Sequence, residues 1–375
     1  LNIAGLIRAQ ALAHPHKRAV VLARPHRGGH VYPCYTFDEF EARSNRVCAR
    51  LRAAGLRAGD RVLLFVRPSL DFSVITFALF KAGLVPVFID PGMGRKSLLR
   101  ACAEVKPRGM VAERRAFIAK LLYPRAFQSV ECALSVPRLL RRLKDVPEDQ
   151  VLHEPRPGET AAILFTSGGT GTPKGVVTTH EILHAQTRLL QEMFQLGPAD
   201  TDMPGFPLFA LFTLAMGMTS VVPDMDPTAP ANCDPAKLVA TLIDQRVSFA
   251  AGSPAIWERV GQHCRQHGIT LPYLKSVVMF GAPVRGEIHQ LWGPILPHGT
   301  TYAPYGATEC LPIAFARGIE LLRHWEGNRR GEGICLGPIV PGMSVVIDKD
   351  ADIPDGFPAE VGEILVSGPT VTPEY

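Results

Sequence analysis

The chain has 375 residues, of which 46% are hydrophobic and 20% charged. That composition excludes a disordered or collagen-like chain and supplies enough apolar material for a large core in more than one subdomain. The formal net charge of +5 suits a protein that handles anionic substrates, and equally an arginine-rich surface of no special function.

Eight cysteines lie singly along the chain with no CxxC pair, which fits a reducing compartment rather than a disulfide framework. Arg8 interrupts the first apolar run, so no signal peptide is read there and a cytoplasmic location is expected. The densest positive run, at 138–144, reads as a solvated helix face.

Thr36 followed by Glu39 predicts a capped helix start, with Gly55 at its end. Residues 61–66 form a buried-strand run. Ser69 opens a helix that ends near Gly83, and 85–90 is the next strand. Strand, helix and strand in succession predict a right-handed parallel crossover and an α/β class. The same logic returns with a strand at 161–165, a glycine-rich loop and a helix beginning near Glu181. Further strands are expected at 247–251 and 277–280, each preceded by a helical stretch.

The uncharged stretch 203–223 is broken by Pro204, Gly205, Pro207 and Gly217. It reads as a buried wall lining an apolar pocket, since a membrane span needs a more continuous apolar run with anchors. Residues 323–333 are charged and loop-like, and are expected to be mobile. From about Gly333 short strands at 343–347 and 363–366 alternate with Pro/Gly/Asp turns, which reads as a smaller β-rich subdomain.

The loop after the 161–165 strand reads Thr166-Ser167-Gly168-Gly169-Thr170-Gly171-Thr172-Pro173-Lys174-Gly175. A polyphosphate needs many donors at short range, and backbone N–H groups supply them only where side chains leave room. Glycines give that room and tolerate the positive φ of an anion nest. The hydroxyls of Thr166, Ser167, Thr170 and Thr172 add donors, and Lys174 can place a point charge on a phosphate oxygen. The loop is not a Walker loop, because Pro173 stands where that motif has Gly, and no GxGxxG is present.

This loop resembles the signature loop of the adenylate-forming superfamily, which includes acyl-CoA synthetases, peptide-synthetase adenylation domains and luciferases. It departs at Gly169, where most members have Ser or Thr. Tyr305-Gly306-Ala307-Thr308-Glu309 resembles the second signature of that family. The resemblance implies that Tyr305 presents its ring to adenine, that Gly306 lets the backbone approach, and that Thr308 bonds the α-phosphate. It also implies that Glu309, a hard-oxygen ligand, holds Mg²⁺. Gly281-Ala282-Pro283 resembles the segment packed on the other side of adenine. Gly59-Asp-Arg-Val62, Lys81-Ala-Gly83, Asp90-Pro91 and Gly362-Glu-Ile364 match early and late family segments.

ATP and Mg²⁺ are therefore the implied cofactors, and Lys174, Thr308 and Glu309 the implied catalytic residues. The fold implied is the large N-terminal domain of such an enzyme. Residues 1–332 would form two αβα-type subdomains with mainly parallel sheets, meeting near 160–185, and 333–375 would begin the β-rich part. Members of the family continue with a ribose-binding Asp, a hinge and a C-terminal domain bearing a catalytic Lys. Without these, residues 1–375 alone are expected to bind nucleotide weakly and to turn over little.

Acyl-CoA synthetases carry Pro-Leu-Phe-His near the acid's carboxylate, whereas this chain has Ala210 in place of that His. Phe206, Phe209, Ala210 and Phe212 are the expected pocket wall for an alkyl chain, each buried methylene contributing ~0.8 kcal/mol. The segments FPLFALF, PDMDPTAPANCDP, GSPAIWERV and YGATECLPIA are similar to the β-lactone synthetases of bacterial long-chain olefin biosynthesis. The resemblance implies a β-hydroxy fatty acid as substrate and other olefin-pathway enzymes as partners. A fatty acyl-CoA or acyl-AMP ligase, which would add CoA, is the alternative reading, and a non-catalytic nucleotide-binding homologue a second. His263, Cys264 and His267 at helical spacing read as an exposed helix face rather than a metal site, and no basic-aromatic cluster points to nucleic acid.

Overall fold

A computed structural model describes residues 1–166, 173–349 and 361–374. Two sheets organise it. The six-stranded sheet runs in the order Lys174–Thr179, Thr160–Thr166, Val85–Ile89, Arg61–Phe65, Gly109–Ala112, Cys132–Ser135. It is parallel except for the antiparallel pairing of its first two strands. The eight-stranded sheet runs Cys310–Arg317, Thr300–Ala307, Ser276–Met279, Phe249–Gly252, Thr201–Pro204, Thr219–Val222, Arg18–Leu22, Cys34–Thr36. It is parallel through its middle and antiparallel at both ends.

The N-terminal strand Arg18–Leu22 therefore belongs to the second sheet, beside Thr219–Val222. Its sequence RAVVL carries no sign of that distant partner, because a short apolar run fixes a strand but not its neighbour.

Helix ends follow the local chemistry. The Thr36 hydroxyl accepts the Glu39 amide while Glu39 accepts the Thr36 amide, a complete capping box on Phe37–Ala53. The Ser69 hydroxyl accepts the Phe72 amide at the start of Leu70–Lys81, and the Thr179 hydroxyl accepts the Ile182 amide at the start of His180–Phe194. Leu70–Lys81 is buried from Phe72 to Lys81, as a helix apolar all round must be. It lies in one apolar cluster with Phe37 and Phe40 of the preceding helix, with Val62 and Leu64 of one sheet, and with Val20 and Val222 of the other. This helical layer fills the space between the sheets.

Residues 203–223 fold as the end of a strand, a 3-10 turn at Pro207–Phe209, the helix Ala210–Ala215 and the strand Thr219–Val222. Among the described residues no helix is long and apolar enough to cross a membrane. The expectation of a loop at 323–333 is corrected in part. Gly318–Arg323 and Trp325–Arg329 are short helices, the first held by Glu320 accepting the Arg317 amide. The ring of Trp325 packs on Gly286, where a Cβ would fall 2.3 Å from it. A charged surface hid that one anchoring aromatic. Ser344–Asp348 and Glu363–Ser367 pair as an antiparallel hairpin, joined to the larger sheet by bridges from Cys310 to Val371 and Ala314 to Ile339.

Candidate active site at the carboxyl edge of the larger sheet

Parallel strands all end on one edge of their sheet, and open α/β sheets place ligands outside that edge. Thr201–Pro204, Phe249–Gly252, Ser276–Met279 and Thr300–Ala307 are consecutive parallel neighbours, in registers pairing Pro204 with Ala251, Gly252 with Met279 and Val278 with Tyr302. The segments that follow them emerge together. They are the Phe206–Phe212 stretch, Gly281-Ala282-Pro283 and Thr308-Glu309.

Thr308 and Glu309 are the two-residue tip of the hairpin formed by Thr300–Ala307 and Cys310–Arg317, in which Ala307 pairs with Cys310. Both side chains are half-buried. The register slips between Tyr305 and Ala307, and a Cβ on Gly306 would fall 2.5 Å from the Cys310 carbonyl oxygen. The need for glycine thus arises within the hairpin itself, at a close approach no side chain permits. Tyr305 is half-buried and packs against Leu189, Ile313, Val340 and Met343. Gly281 has φ +87° with open space around it, and Ala282 and Pro283 are exposed.

The predicted acid-wall residues do not share one face. Phe206 is 46% exposed on the rim, while Phe209 and Ala210 are buried and Phe212 is half-buried. Phe209 stacks between Phe280 at 5.7 Å and Phe249 at 6.0 Å, and Phe206 meets Phe280 edge-on at 6.5 Å. Phe194, Tyr302 and Phe315 continue this column at 5.0–5.2 Å. Ala210 instead packs into the cluster between the sheets and lines a narrow apolar cleft with Phe72, Pro204, Pro207, Val222 and Met225. On the strand that ends at Pro204, Asp202 is fully buried, and desolvation pushes its carboxyl up to about 7, opposed by the Thr213 hydroxyl, which donates to it at 2.8 Å, and by the nearby Ser220 hydroxyl.

Of the phosphate loop, Ser167, Gly168, Gly169, Thr170, Gly171 and Thr172 lie outside the described residues. Thr166 ends one strand and Lys174, exposed, begins the next directly opposite it. The loop therefore joins two antiparallel strands. Sequence reading carried it straight on to a helix near Glu181 and missed Lys174–Thr179, six residues too short to show a period. Gly175 in that strand makes room for the Phe165 ring, 2.9 Å from where a Cβ would stand.

Sequence reading also missed Thr372. Its amide donates to the Glu309 carbonyl at 2.7 Å and its hydroxyl to the Val177 carbonyl. One residue so ties the hairpin tip to the strand that begins at Lys174. A lone threonine after the Gly362-Glu-Ile364 strand carries no local signal for this.

Among the described residues no group of three or more His, Cys, Asp or Glu forms a metal cage. Magnesium that arrives with a polyphosphate needs only one or two protein carboxylates, and a single Glu309 fits that donor set. A wide cleft of about 660 Å³ between the first two helices holds none of the predicted site residues. Its charges are largely satisfied by one another, through Arg8–Glu41 and Arg46–Glu148. The rings of His263 on the helix Pro254–Gln266 and of His267 just after it lie 4.2 Å apart, tilted by 33°, whereas Cys264 is buried in the core, so the three do not converge.

The family model described as "AMP-binding enzyme" matches residues 7–375. The chain is 37% identical over 366 residues to an olefin beta-lactone synthetase of Xanthomonas campestris, covering 91% of this chain and 64% of that protein. It is 36% identical over 395 residues to an olefin beta-lactone synthetase of Stenotrophomonas maltophilia, covering 100% of this chain and 71% of that one. The chain thus spans about two thirds of the length of these relatives. The inhibitor-bound N-terminal domain of FACL13 from Mycobacterium tuberculosis superposes with a TM-score of 0.83 at 21% identity, covering 100% of this chain and 90% of that one. At that identity the likeness is one of fold.

Proposed function

The chain belongs to the AMP-binding enzyme family, the AMP-forming acid ligases and synthetases, and from that premise we propose that it activates a long-chain β-hydroxy acid with ATP and closes it to a β-lactone. The observation that carries this reading is the 36–37% identity, along nearly the whole chain, to two olefin beta-lactone synthetases. It is supported by the position of the Phe206–Phe212 stretch, Gly281-Ala282-Pro283 and Thr308-Glu309, which follow neighbouring parallel strands of one sheet.

In this reading a carboxylate oxygen attacks the α-phosphorus of ATP, the bond to the bridging oxygen breaks, and pyrophosphate leaves. The β-hydroxyl oxygen then attacks the acyl carbonyl, loses its proton, and expels AMP. Lys174 and the loop 166–172 bind the phosphates, Thr308 bonds the α-phosphate, and Gly281, Ala282, Pro283, Tyr305, Gly306 and Ala307 frame adenine. Such fixed donors favour the charge that develops at phosphorus. Glu309 would hold Mg²⁺, which when bound neutralises charge on the triphosphate. Phe206, Phe209 and Phe212 contribute the apolar side of the acid site, with Ala210 behind them. The site lies within residues 1–332, and 333–375 begins the β-rich part that packs beside the hairpin.

The test supplies the full-length protein with ATP, Mg²⁺ and a long-chain β-hydroxy acid without CoA, and follows pyrophosphate release and the product mass. A β-lactone is expected. An acyl-adenylate that becomes a thioester only when CoA is added would replace this reading with an acyl-CoA ligase. No pyrophosphate with any acid would leave a nucleotide-binding homologue.

A further inference from the structure

Two helices cover the outer side of the six-stranded sheet, Arg95–Glu104 and Arg114–Leu122. Both pack on the same apolar cluster, through Leu98, Leu99, Ala101 and Cys102 from the first and Ala116 and Phe117 from the second. Their remaining sides therefore face solvent together. On the second helix Ile118, Leu121 and Leu122 stand 59%, 81% and 65% exposed, at the i, i+3, i+4 spacing that forms one face.

The two helices and the turn that follows the second carry six exposed cations, Arg95, Lys96, Arg100, Arg114, Arg115 and Arg125. Among the described residues none of the six takes part in an ion pair. Arg95 lies over the Tyr123 ring at 5.9 Å. The stretch 95–125 holds only two carboxylates, Glu104 and Glu113, and Glu113 is engaged by Arg67.

Three large aliphatic side chains left uncovered among the described residues, on a pair of helices that carries six cations outside any ion pair, match one environment closely. That environment is the headgroup layer of an anionic bilayer, which takes aliphatic side chains into its acyl boundary and attracts cations with its surface potential. A protein partner would ask for buried aromatic anchors and paired charges, and duplex nucleic acid would leave the aliphatic triad in water. We propose that the outer face of Arg95–Glu104 and Arg114–Leu122 docks on a membrane of anionic phospholipid. The inference does not depend on the reaction proposed above.

The test is co-sedimentation of the protein with vesicles of phosphatidylcholine alone and of equimolar phosphatidylcholine and phosphatidylglycerol. Binding to the anionic vesicles is expected to exceed binding to neutral ones by about tenfold or more and to fall as salt is raised. The double variant Arg114→Glu, Arg115→Glu should lose about tenfold of that binding, and Leu121→Ser, Leu122→Ser should lose a comparable part. All four positions are exposed, so unchanged melting temperatures are expected and would show that the fold is retained. Absence of anionic-vesicle binding at low salt, or binding that both variants leave unchanged, would overturn the proposal. Self-association abolished by the leucine variants without vesicle binding would overturn it too, and would give the face to a second copy of the chain. Duplex DNA binding without vesicle binding would reject it in favour of a nucleic-acid surface.

Discussion

The amide of Thr372 donates a 2.7 Å hydrogen bond to the carbonyl of Glu309, while the Thr372 hydroxyl reaches the carbonyl of Val177. Glu309 is the proposed magnesium ligand, and Val177 lies three residues beyond Lys174, a proposed phosphate ligand. Replacing Thr372 by Val keeps the amide bond and removes the hydroxyl bond. A net hydrogen bond contributes about 0.5–1.5 kcal/mol, so nucleotide affinity measured by calorimetry should fall several-fold with little change in melting temperature. Unchanged affinity would mean that the two halves are held by other contacts.

The tip of the hairpin gives a sharper test. A Cβ on Gly306 would meet the Cys310 carbonyl oxygen at 2.5 Å, and backbone cannot give way as a side chain can. Gly306→Ala should destabilise the protein by about 1–3 kcal/mol by overpacking and lower nucleotide binding with it. Glu309→Gln should instead change the melting temperature by no more than about 2 °C, since it keeps the size of this half-buried side chain and removes only its charge. It should reduce pyrophosphate release by ~100-fold, the scale of losing one stabilising group for developing charge. Equal losses of activity without loss of stability in both variants would show the glycine to be needed for ligand approach rather than for the turn.

Asp202 predicts a pH dependence. Its carboxyl is fully buried, accepts the Thr213 hydroxyl at 2.8 Å, and has one oxygen without a hydrogen bond among the described residues. The elements around it, Ala210–Ala215, Thr219–Val222 and Phe249–Gly252, contain no titratable side chain. Folding raises this carboxyl to about 7 from an unfolded value of ~3.9. Between those values the folded chain holds the extra proton, so this residue's contribution to stability is fully present below ~3.9 and declines as pH rises toward 7. Asp202→Asn removes the titration. Its stability relative to the parent should rise across that window, by a few kcal/mol at most, at ~1.4 kcal/mol per pH unit, and then level off. A difference independent of pH in denaturant titrations would refute the assignment.

Lys81 tests the packing between the first helices. It is 1% exposed at the end of Leu70–Lys81, with its ammonium bonded to Glu41 at 2.6 Å, Asn45 at 2.7 Å and Ser44 at 2.8 Å. Burial lowers its pKa, and Glu41 opposes that. Lys81→Met leaves Glu41 paired with Arg8 alone and should cost about 1–3 kcal/mol in urea unfolding, part of which a second change, Glu41→Leu, should restore.

The aromatic column through the proposed acid site was only half legible. Phe206, Phe209 and Phe212 stand out as a run, but Phe249 and Phe280 join Phe209 from a strand and from just past another, and Phe194 joins Phe249 from a helix. Phe209→Ala would empty a stacked position at a cost of about 3–5 kcal/mol, read as a lower urea midpoint. Ala210 was expected on the same wall, yet it sits on the opposite side of its short helix and faces the inter-sheet core. Sequence proximity in a 3-10 turn followed by one and a half helical turns sends adjacent side chains in different directions.

Local chemistry settled what the sequence could settle alone. Capping residues at Thr36, Ser69 and Thr179 set where helices begin, alternation of strands and helices set the α/β class, and the glycine-rich loop with the Tyr305–Glu309 segment set the family. Each of these signals is written within about ten residues, where backbone geometry and nearest neighbours dominate. The tertiary structure alone decided that Arg18–Leu22 joins the sheet of residues 201–317, that Thr372 bridges Glu309 and Val177, and that Ile118, Leu121 and Leu122 remain uncovered. Those outcomes depend on which distant surfaces compete for the same apolar face or the same unpaired carbonyl. That competition is resolved only when the whole chain is packed.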